Sequence, residues 1–254
     1  MKSSINRFGS RVDDYSKYRP NYPQAVIDLL KDDCGLTEKS VVADIGSGTG
    51  ILSELFLKSG NLVYGVEPNA PMRGIAETLL EAYPRFISVD GTAESTNLED
   101  SSVDFITAAQ AFHWFQRDKA RAEFARITKS PGWVVLIWNE RRLDSTPFLR
   151  DYEAMLLHYG TDYEKVRHEN VTGEIGSFFA PQVVNFRTFE NVQIFDFEGL
   201  QGRVRSSSYT PEPGDANFEP MMARLNEIFK THQDDGRVSF EYDTNVFYGK
   251  IKSI

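Results

Sequence analysis

Val41-Val42-Ala43-Asp44-Ile45 runs without a break into Gly46-Ser47-Gly48-Thr49-Gly50, and Ile51 to Lys58 follows as a short helix. An apolar run of strand length, a turn with glycine at alternate positions and then a helix is the opening βα unit of a parallel sheet. Glycines let the backbone approach a ligand closely, and the start of the helix offers free N–H groups. In open sheets of this kind the ligand lies beyond the strand C-termini, where the strand order switches. Leu62-Val63-Tyr64-Gly65-Val66 reads as the second strand and ends in Glu67-Pro68. An acid at that place can take both hydroxyls of a ribose, so the pattern predicts a nucleoside-containing cofactor.

The glycine spacing narrows the cofactor. A dinucleotide turn reads G-x-G-x-x-G/A, and here Ile51 stands at the third glycine position. The third glycine is Gly50, giving G-x-G-x-G with an acid two residues ahead. The G-x-x-x-x-G-K-[ST] pattern of a phosphate loop is absent.

The same alternation continues on both sides. Helices are predicted over Gln24 to Lys31, Pro71 to Ala82 and Lys119 to Thr128, and strands over Arg85 to Val89, Val103 to Ala108 and Trp133 to Trp138. Alternation of this kind builds a parallel sheet. After Asn139 the rhythm changes. Ser145-Thr146-Pro147 opens a helix carrying Phe148, Tyr152, Met155 and Tyr159, and Asn170 to Phe186 reads as a loop. A strand at Val192 to Phe197 leads to the Leu200–Ser207 segment. A helix with Phe218, Met222, Leu225 and Phe229 on one face comes next, then a strand over Arg237 to Ile251. Residues 1–140 therefore read as an N-terminal lid with a cofactor-binding α/β core. Residues 141–254 read as a helical cap, or substrate region, with the final strands, all within one domain.

Composition excludes several functions. The 254 residues hold 37 Asp and Glu against 28 Lys and Arg, a formal charge of −9. That excess argues against nucleic acid and against an anionic membrane as partners. The first residues lack the apolar stretch of a signal peptide, and no apolar run is long enough to span a bilayer, so the cytoplasm is the expected location. Cys34, the single cysteine, follows Asp32 and Asp33, which oppose a thiolate. His158, His168 and His232 lack metal-ligand spacing, and no metal is expected.

The motifs resemble those of the class I S-adenosylmethionine-dependent methyltransferases, type 11 small-molecule branch. Val41 to Gly50 is similar to motif I, and Val63 to Pro68 to the acidic end of strand two. Gly91-Thr92-Ala93-Glu94 is similar to the loop bordering adenine, and Ala109 to Trp114 to the segment after strand four. Tyr15 to Pro23 resembles the N-terminal signature of the trans-aconitate-methyltransferase-like members. The resemblance runs over nearly the first 140 residues and more loosely beyond. It implies a Rossmann-like α/β fold: a seven-stranded, mostly parallel sheet with helices on both faces and a C-terminal helical cap insertion.

The resemblance also implies roles. The turn of Gly46, Ser47, Gly48 and Gly50 passes beneath the methionine part and ribose of S-adenosylmethionine, Asp44 holds its amino group and Glu67 binds the ribose diol. Met72 lies on the adenine face, Ala93 offers a backbone N–H to the ring, and Gln110 faces the methyl-bearing sulfur. Many relatives carry aspartate where Thr92 stands, so Glu94 or backbone carbonyls would substitute in reading the adenine amino group. Tyr18 and Arg19 would close over the cofactor. His113 is the candidate base for a hydroxyl acceptor, and Trp114 and Asn139 are candidate substrate contacts. A carboxylate acceptor arrives deprotonated and needs no base.

Plainer readings stand beside these. Thr-x-Glu is also a helix-capping pattern, Met72 suits helix packing, Arg19 suits a solvated surface, and Phe112-His113-Trp114-Phe115 suits an aromatic cluster. The leading expectation is methyl transfer to oxygen of a small-molecule acceptor, a carboxylate or a hydroxyl. The alternatives are an NAD(P)-dependent oxidoreductase and a catalytically silent S-adenosylmethionine-binding protein. The acceptor's identity and the oligomeric state are not legible in the sequence.

Overall fold

The computed structural model describes residues 18–161, 163 and 171–251. Along the chain come α1 (Ala25–Cys34), β1 (Val41–Ile45), α2 (Ile51–Lys58), β2 (Leu62–Val66), α3 (Ala70–Leu79), β3 (Phe86–Val89) and β4 (Val103–Ala109). A short 3-10 turn (Phe112–Trp114) precedes α4 (Arg117–Ile127) and β5 (Thr128–Arg141). Then follow α5 (Pro147–Tyr159), α6 (Val171–Phe179), β6 (Val184–Phe195), α7 (Phe197–Arg205), α8 (Phe218–His232) and β7 (Val238–Gly249). The sheet has seven strands in the order β3-β2-β1-β4-β5-β7-β6. The pairs β1·β2, β1·β4, β2·β3 and β4·β5 are parallel. The order reverses at β1, which places the glycine turn at the switch point.

The chain divides into two compact units. Unit 2 is Asn21–Asn139, Asn170–Phe189 and Thr244–Ile254, and unit 1 is Met1–Pro20, Glu140–Glu169 and Glu190–Asp243. Three of the five divisions fall inside β5, β6 and β7.

In unit 2 the period-2 alternation of the strands sends neighbours to opposite faces. Ala43, Ile106, Val134 and Leu136 pack with α4 and α6 through Phe124, Ile127, Phe178 and Phe179. Val42, Phe105, Val135 and Ile137 pack with α1 and α2 through Ile27, Leu30, Leu52 and Phe56. Helices thus cover both faces of the parallel strands. In unit 1, α5, α7 and α8 bury Leu149, Tyr152, Leu200, Leu225 and Ile228 around Val238, Phe240 and Tyr242 of β7.

Several boundaries differ from the sequence expectation. β5 begins at Thr128 rather than Trp133, because the register slips between Val103↔Thr128 and Phe105↔Trp133. That bulge absorbs Ser130-Pro131-Gly132, residues that read as a break. Val171–Phe179, expected as loop, is a helix that buries Ile175, Phe178 and Phe179; tertiary packing overrides its glycines. β6 spans Val184–Phe195, not Val192 to Phe197, and Phe197 already opens α7. The Asp196 carboxylate caps that helix by accepting from Gly199 N at 2.8 Å. On α8 Leu225 is buried as expected, but Met221 and Ile228 complete the buried stripe, while Phe218, Met222 and Phe229 of the expected face are half-buried. His168 and the Tyr15 to Lys17 part of the N-terminal signature lie outside the described residues.

Candidate functional site

The site grows from the end of β1. Gly46 N and Ser47 N both donate to Val66 O, at 2.8 and 3.2 Å, so the turn folds back over the end of β2. Gly46 has φ 69°, and a Cβ built there would lie 2.7 Å from Ala111 Cβ. Gly50 has φ 85°, and its Cβ would lie 2.6 Å from Leu80 Cδ1. Both positions therefore require glycine, for conformation and for space. Gly48 differs: a Cβ there would meet little more than Met72 Sδ at 3.9 Å, so the turn and the thioether line one edge of an open cradle. Thr49 Oγ1 is buried with no hydrogen-bond partner among the described residues. A buried orphan hydroxyl beside a glycine cradle fits a polar ligand in the turn.

Asp44, the penultimate residue of β1, is 1% exposed. Ser53 of α2 donates to its Oδ2 at 2.6 Å, and Thr107 of β4 donates to Oδ1 at 3.1 Å. Burial raises its carboxyl to about 6, against the lowering effect of those two hydroxyls and with a smaller upward push from Glu67. Glu67, 7% exposed, accepts from Gly48 N through Oε2 (3.0 Å) and from Asn69 N through Oε1 (2.9 Å). Burial likewise holds its carboxyl above the usual range, partly offset by the two N–H donors and Arg73. Each carboxylate oxygen keeps lone-pair capacity for a further donor. Arg73 braces the strand end, donating to Glu67 O at 2.8 Å and to Asp90 Oδ1 at 3.1 Å.

After β3, Thr92 is exposed and its Oγ1 accepts from Glu94 N and Ser95 N at 3.3 and 3.2 Å. It closes a hydroxyl-capped turn rather than a helix. Ala93 is buried, and Glu94 Oε1 accepts from Gln116 N at 2.7 Å, just ahead of α4. After β4, Gln110 takes φ 55° and its Nε2 donates to Asn139 O at 2.9 Å. Asn139 in turn donates to Asn21 O at 3.2 Å and accepts from Thr244 Oγ1 at 2.5 Å. His113 is half-buried with its ring 4.7 Å from that of Trp114, which is 46% exposed.

Unit 2 thus brings together the turn, Asp44, Glu67 and Met72, and joins Gln110 to Asn139. Tyr18 and Arg19 belong to unit 1. There the Tyr18 ring lies against Gly202, and Arg19 Nη2 donates to Ser206 O at 2.7 Å. Sequence reasoning missed Ser53, Thr107, Asn69, Arg73 and Thr49. Asn69 carried a readable signal, since Asn-Ala-Pro is a helix start; its Oδ1 caps α3 by accepting from Met72 N at 3.2 Å. Thr107 meets Asp44 through strand register, which no local pattern announces. Cys34 is pushed up to about 12, by burial first and by Asp33 second, so burial rather than the neighbouring carboxylates keeps it a thiol. His232 is accounted for by Asp151, 2.7 Å away in unit 1.

Residues 43–136, which carry the glycine turn, Asp44, Glu67, Met72 and Gln110, match the model of the methyltransferase domain family. Over these residues the chain is similar to S-adenosylmethionine-dependent methyltransferases. A methyltransferase-like protein of Schizosaccharomyces pombe is 27% identical over 250 residues, 96% of this chain and 94% of that one. A methyltransferase of Mycobacterium tuberculosis is 37% identical over 134 residues, covering 53% of this chain and 52% of its own. A solved structure of a proposed type II methyltransferase from Anaeromyxobacter dehalogenans shares the fold, with TM-score 0.65 and 21% identity over 93% of this chain and 100% of that one. None of these likenesses supports the oxidoreductase alternative, in keeping with Ile51 at the third glycine position. Among the described residues no helix of the chain is long and apolar enough to cross a membrane.

Proposed function

We propose that the protein methylates an oxygen of a small-molecule acceptor, with Glu67 and the Gly46–Gly50 turn holding S-adenosylmethionine. The observation that carries this reading is the Glu67 carboxylate, fixed by Gly48 N and Asn69 N at the switch point of the sheet. Its remaining lone pairs suit a ribose diol, and the orphan Thr49 hydroxyl suits a further polar group. Asp44, held between Ser53 and Thr107, stiffens the turn and supplies negative charge toward a cationic ligand. Met72 suits the adenine face and Ala93 N–H the ring. Thr92 and Glu94 shape the loop beside them, and Glu94 is the acid that stands in for the missing aspartate. Gln110, tied to Asn139, fits the methyl end.

S-adenosylmethionine supplies an already activated methyl group on its sulfonium. The chain's own residues then need to bind, orient and exclude water; for well-held reactants orientation is worth about 7–11 kcal/mol. A carboxylate acceptor asks for no base. A hydroxyl acceptor would give its proton to His113, with Trp114 and Asn139 as substrate contacts. The charge of −9 supports a small molecule over nucleic acid as acceptor. The test is a metabolite extract incubated with methyl-labelled S-adenosylmethionine and analysed by mass spectrometry. Label in an ester or ether supports the reading. Label in nucleic acid or protein alone, or no turnover with a bound cofactor, overturns it.

A further inference from the structure

Among the described residues, unit 1 buries a guanidinium that no carboxylate neutralises. Arg203 on α7 is 5% exposed, yet among the described residues no carboxylate reaches it. Its Nε donates to Tyr242 Oη at 3.3 Å, its Nη1 donates to Ser207 Oγ at 2.9 Å, and its guanidinium stands 6.0 Å from the Phe240 ring centroid. Those partners are neutral and occupy only part of a five-donor fork. Arg141 lies against the same aromatic group. Its guanidinium is 5.0 Å from the Tyr152 ring, which packs 4.8 Å from Phe240. The Arg141 side chain is 8% exposed; it pairs with Glu153 and with Tyr163 Oη, but among the described residues its buried Nη1 has no hydrogen-bond partner.

A buried guanidinium is costly unless an anion meets it. The orientation of Arg203 is nonetheless built. Tyr242 Oη, which accepts from Nε, donates to Gln193 Oε1 at 3.2 Å, and Gln193 Nε2 is tied to the carbonyls of Tyr18 and Arg19 at 3.3 and 3.2 Å. That chain fixes the Nε edge of the guanidinium and Ser207 holds Nη1, while among the described residues Nη2 has no hydrogen-bond partner. Tyr209, itself half-buried, adds a hydroxyl. Burial pushes its phenol up, but the fields of Arg203, Arg19 and Arg141 and a bond to Ser207 outweigh burial and hold it below the ordinary range. The Tyr209 ring packs 4.8 Å from that of Tyr163, whose hydroxyl accepts from Arg141 Nη2, so geometry also puts Tyr209 beside the Arg141 guanidinium.

We propose that unit 1 holds an oxyanion-recognition site, in which Nη2 of Arg203, the Tyr209 hydroxyl and neighbouring Arg141 grip a carboxylate or phosphate of a small molecule. Arg203 and Tyr209 touch the anion; Tyr242 and Gln193 are positioning residues. That this molecule is the methyl acceptor rests on the proposed function; the site itself does not.

Two probes distinguish the anion's source: succinate and inorganic phosphate, each titrated calorimetrically into the full chain without cofactor, with dimethyl succinate as the uncharged blank. The expected result is binding of at least one anion and none of the blank. Tyr209→Phe and Arg203→Lys should each weaken it, the latter at least about tenfold, because a point charge loses the planar fork. Arg142→Ala should leave it unchanged, since Arg142 pairs with Asp243 and Glu190. Arg203→Met reports on role: a recognition residue gives lost anion affinity with melting temperature kept or raised, whereas a structural one gives a lowered melting temperature. Should that variant fail to fold, Arg203 is structural and the proposal falls unless Arg203→Lys folds and shows the affinity loss. No binding of either anion, or equal affinity in Tyr209→Phe and Arg203→Lys, overturns the site. Cofactor titration of the same samples is independent: anion binding without S-adenosylmethionine binding sinks the proposed function and leaves the site standing.

Discussion

Asp44 offers a prediction whose sign and size follow from its surroundings. In the fold its carboxyl sits near 6 rather than 3.8, chiefly because it is buried. The folded protein therefore keeps a proton on Asp44 that the unfolded chain has already released. Stability from this group is present in full below about pH 4 and is lost as pH rises to about 6 and above. A shift of about two units corresponds to about 3 kcal/mol. Asp44→Asn removes the ionisation, and the Ser53 and Thr107 hydroxyls can rotate to suit an amide. We expect the variant to match the wild type near pH 4 and to exceed it by up to about 3 kcal/mol above pH 7. Urea unfolding at pH 4, 6 and 7.5 reads this directly. A cationic cofactor should favour the ionised carboxylate, so wild-type affinity for S-adenosylmethionine should rise about tenfold from pH 5 to pH 7, as the ionised fraction climbs through a midpoint near 6. Asp44→Asn should bind more weakly with a flat profile. A variant less stable than wild type above pH 7, or a flat wild-type profile, would refute the reasoning.

Other outcomes test other parts of the account. Gly46→Ala combines a positive φ with a Cβ 2.7 Å from Ala111; it should cost at least about 2 kcal/mol in thermal unfolding and weaken cofactor binding. Trp114→Ala removes a half-exposed ring, so stability should stay within about 0.5 kcal/mol while the acceptor's KM rises about three- to tenfold, cofactor affinity being unchanged.

Legibility in the sequence tracked how local the determining physics was. β1, its turn and β2 were readable to the residue, because glycine spacing and an acid at a strand end are local patterns that a ligand-binding switch point imposes. The start of β5 was not, since Ser130-Pro131-Gly132 reads as a break and only pairing with β4 turns it into a bulge. α6 was missed because Gly173 and Gly176 lower helix propensity, while the burial of Phe178 and Phe179 that stabilises it is long-range. Within the site, Asp44 and Glu67 were visible, but the hydroxyls that hold Asp44 arrive from α2 and β4. The acceptor side was least legible. Arg203 looks like any helical arginine until the tyrosines around it are seen.

The central claim, that Glu67 and the glycine turn hold S-adenosylmethionine, is tested most directly by calorimetric titration of S-adenosylmethionine and S-adenosylhomocysteine into wild type and Glu67→Ala. Two hydrogen bonds to a charged group, each worth about 1.5–3 kcal/mol, predict a loss of at least about a hundredfold in the variant, with the wild type binding both ligands. A wild type that binds neither ligand, or a folded Glu67→Ala that binds as well as wild type, would contradict it.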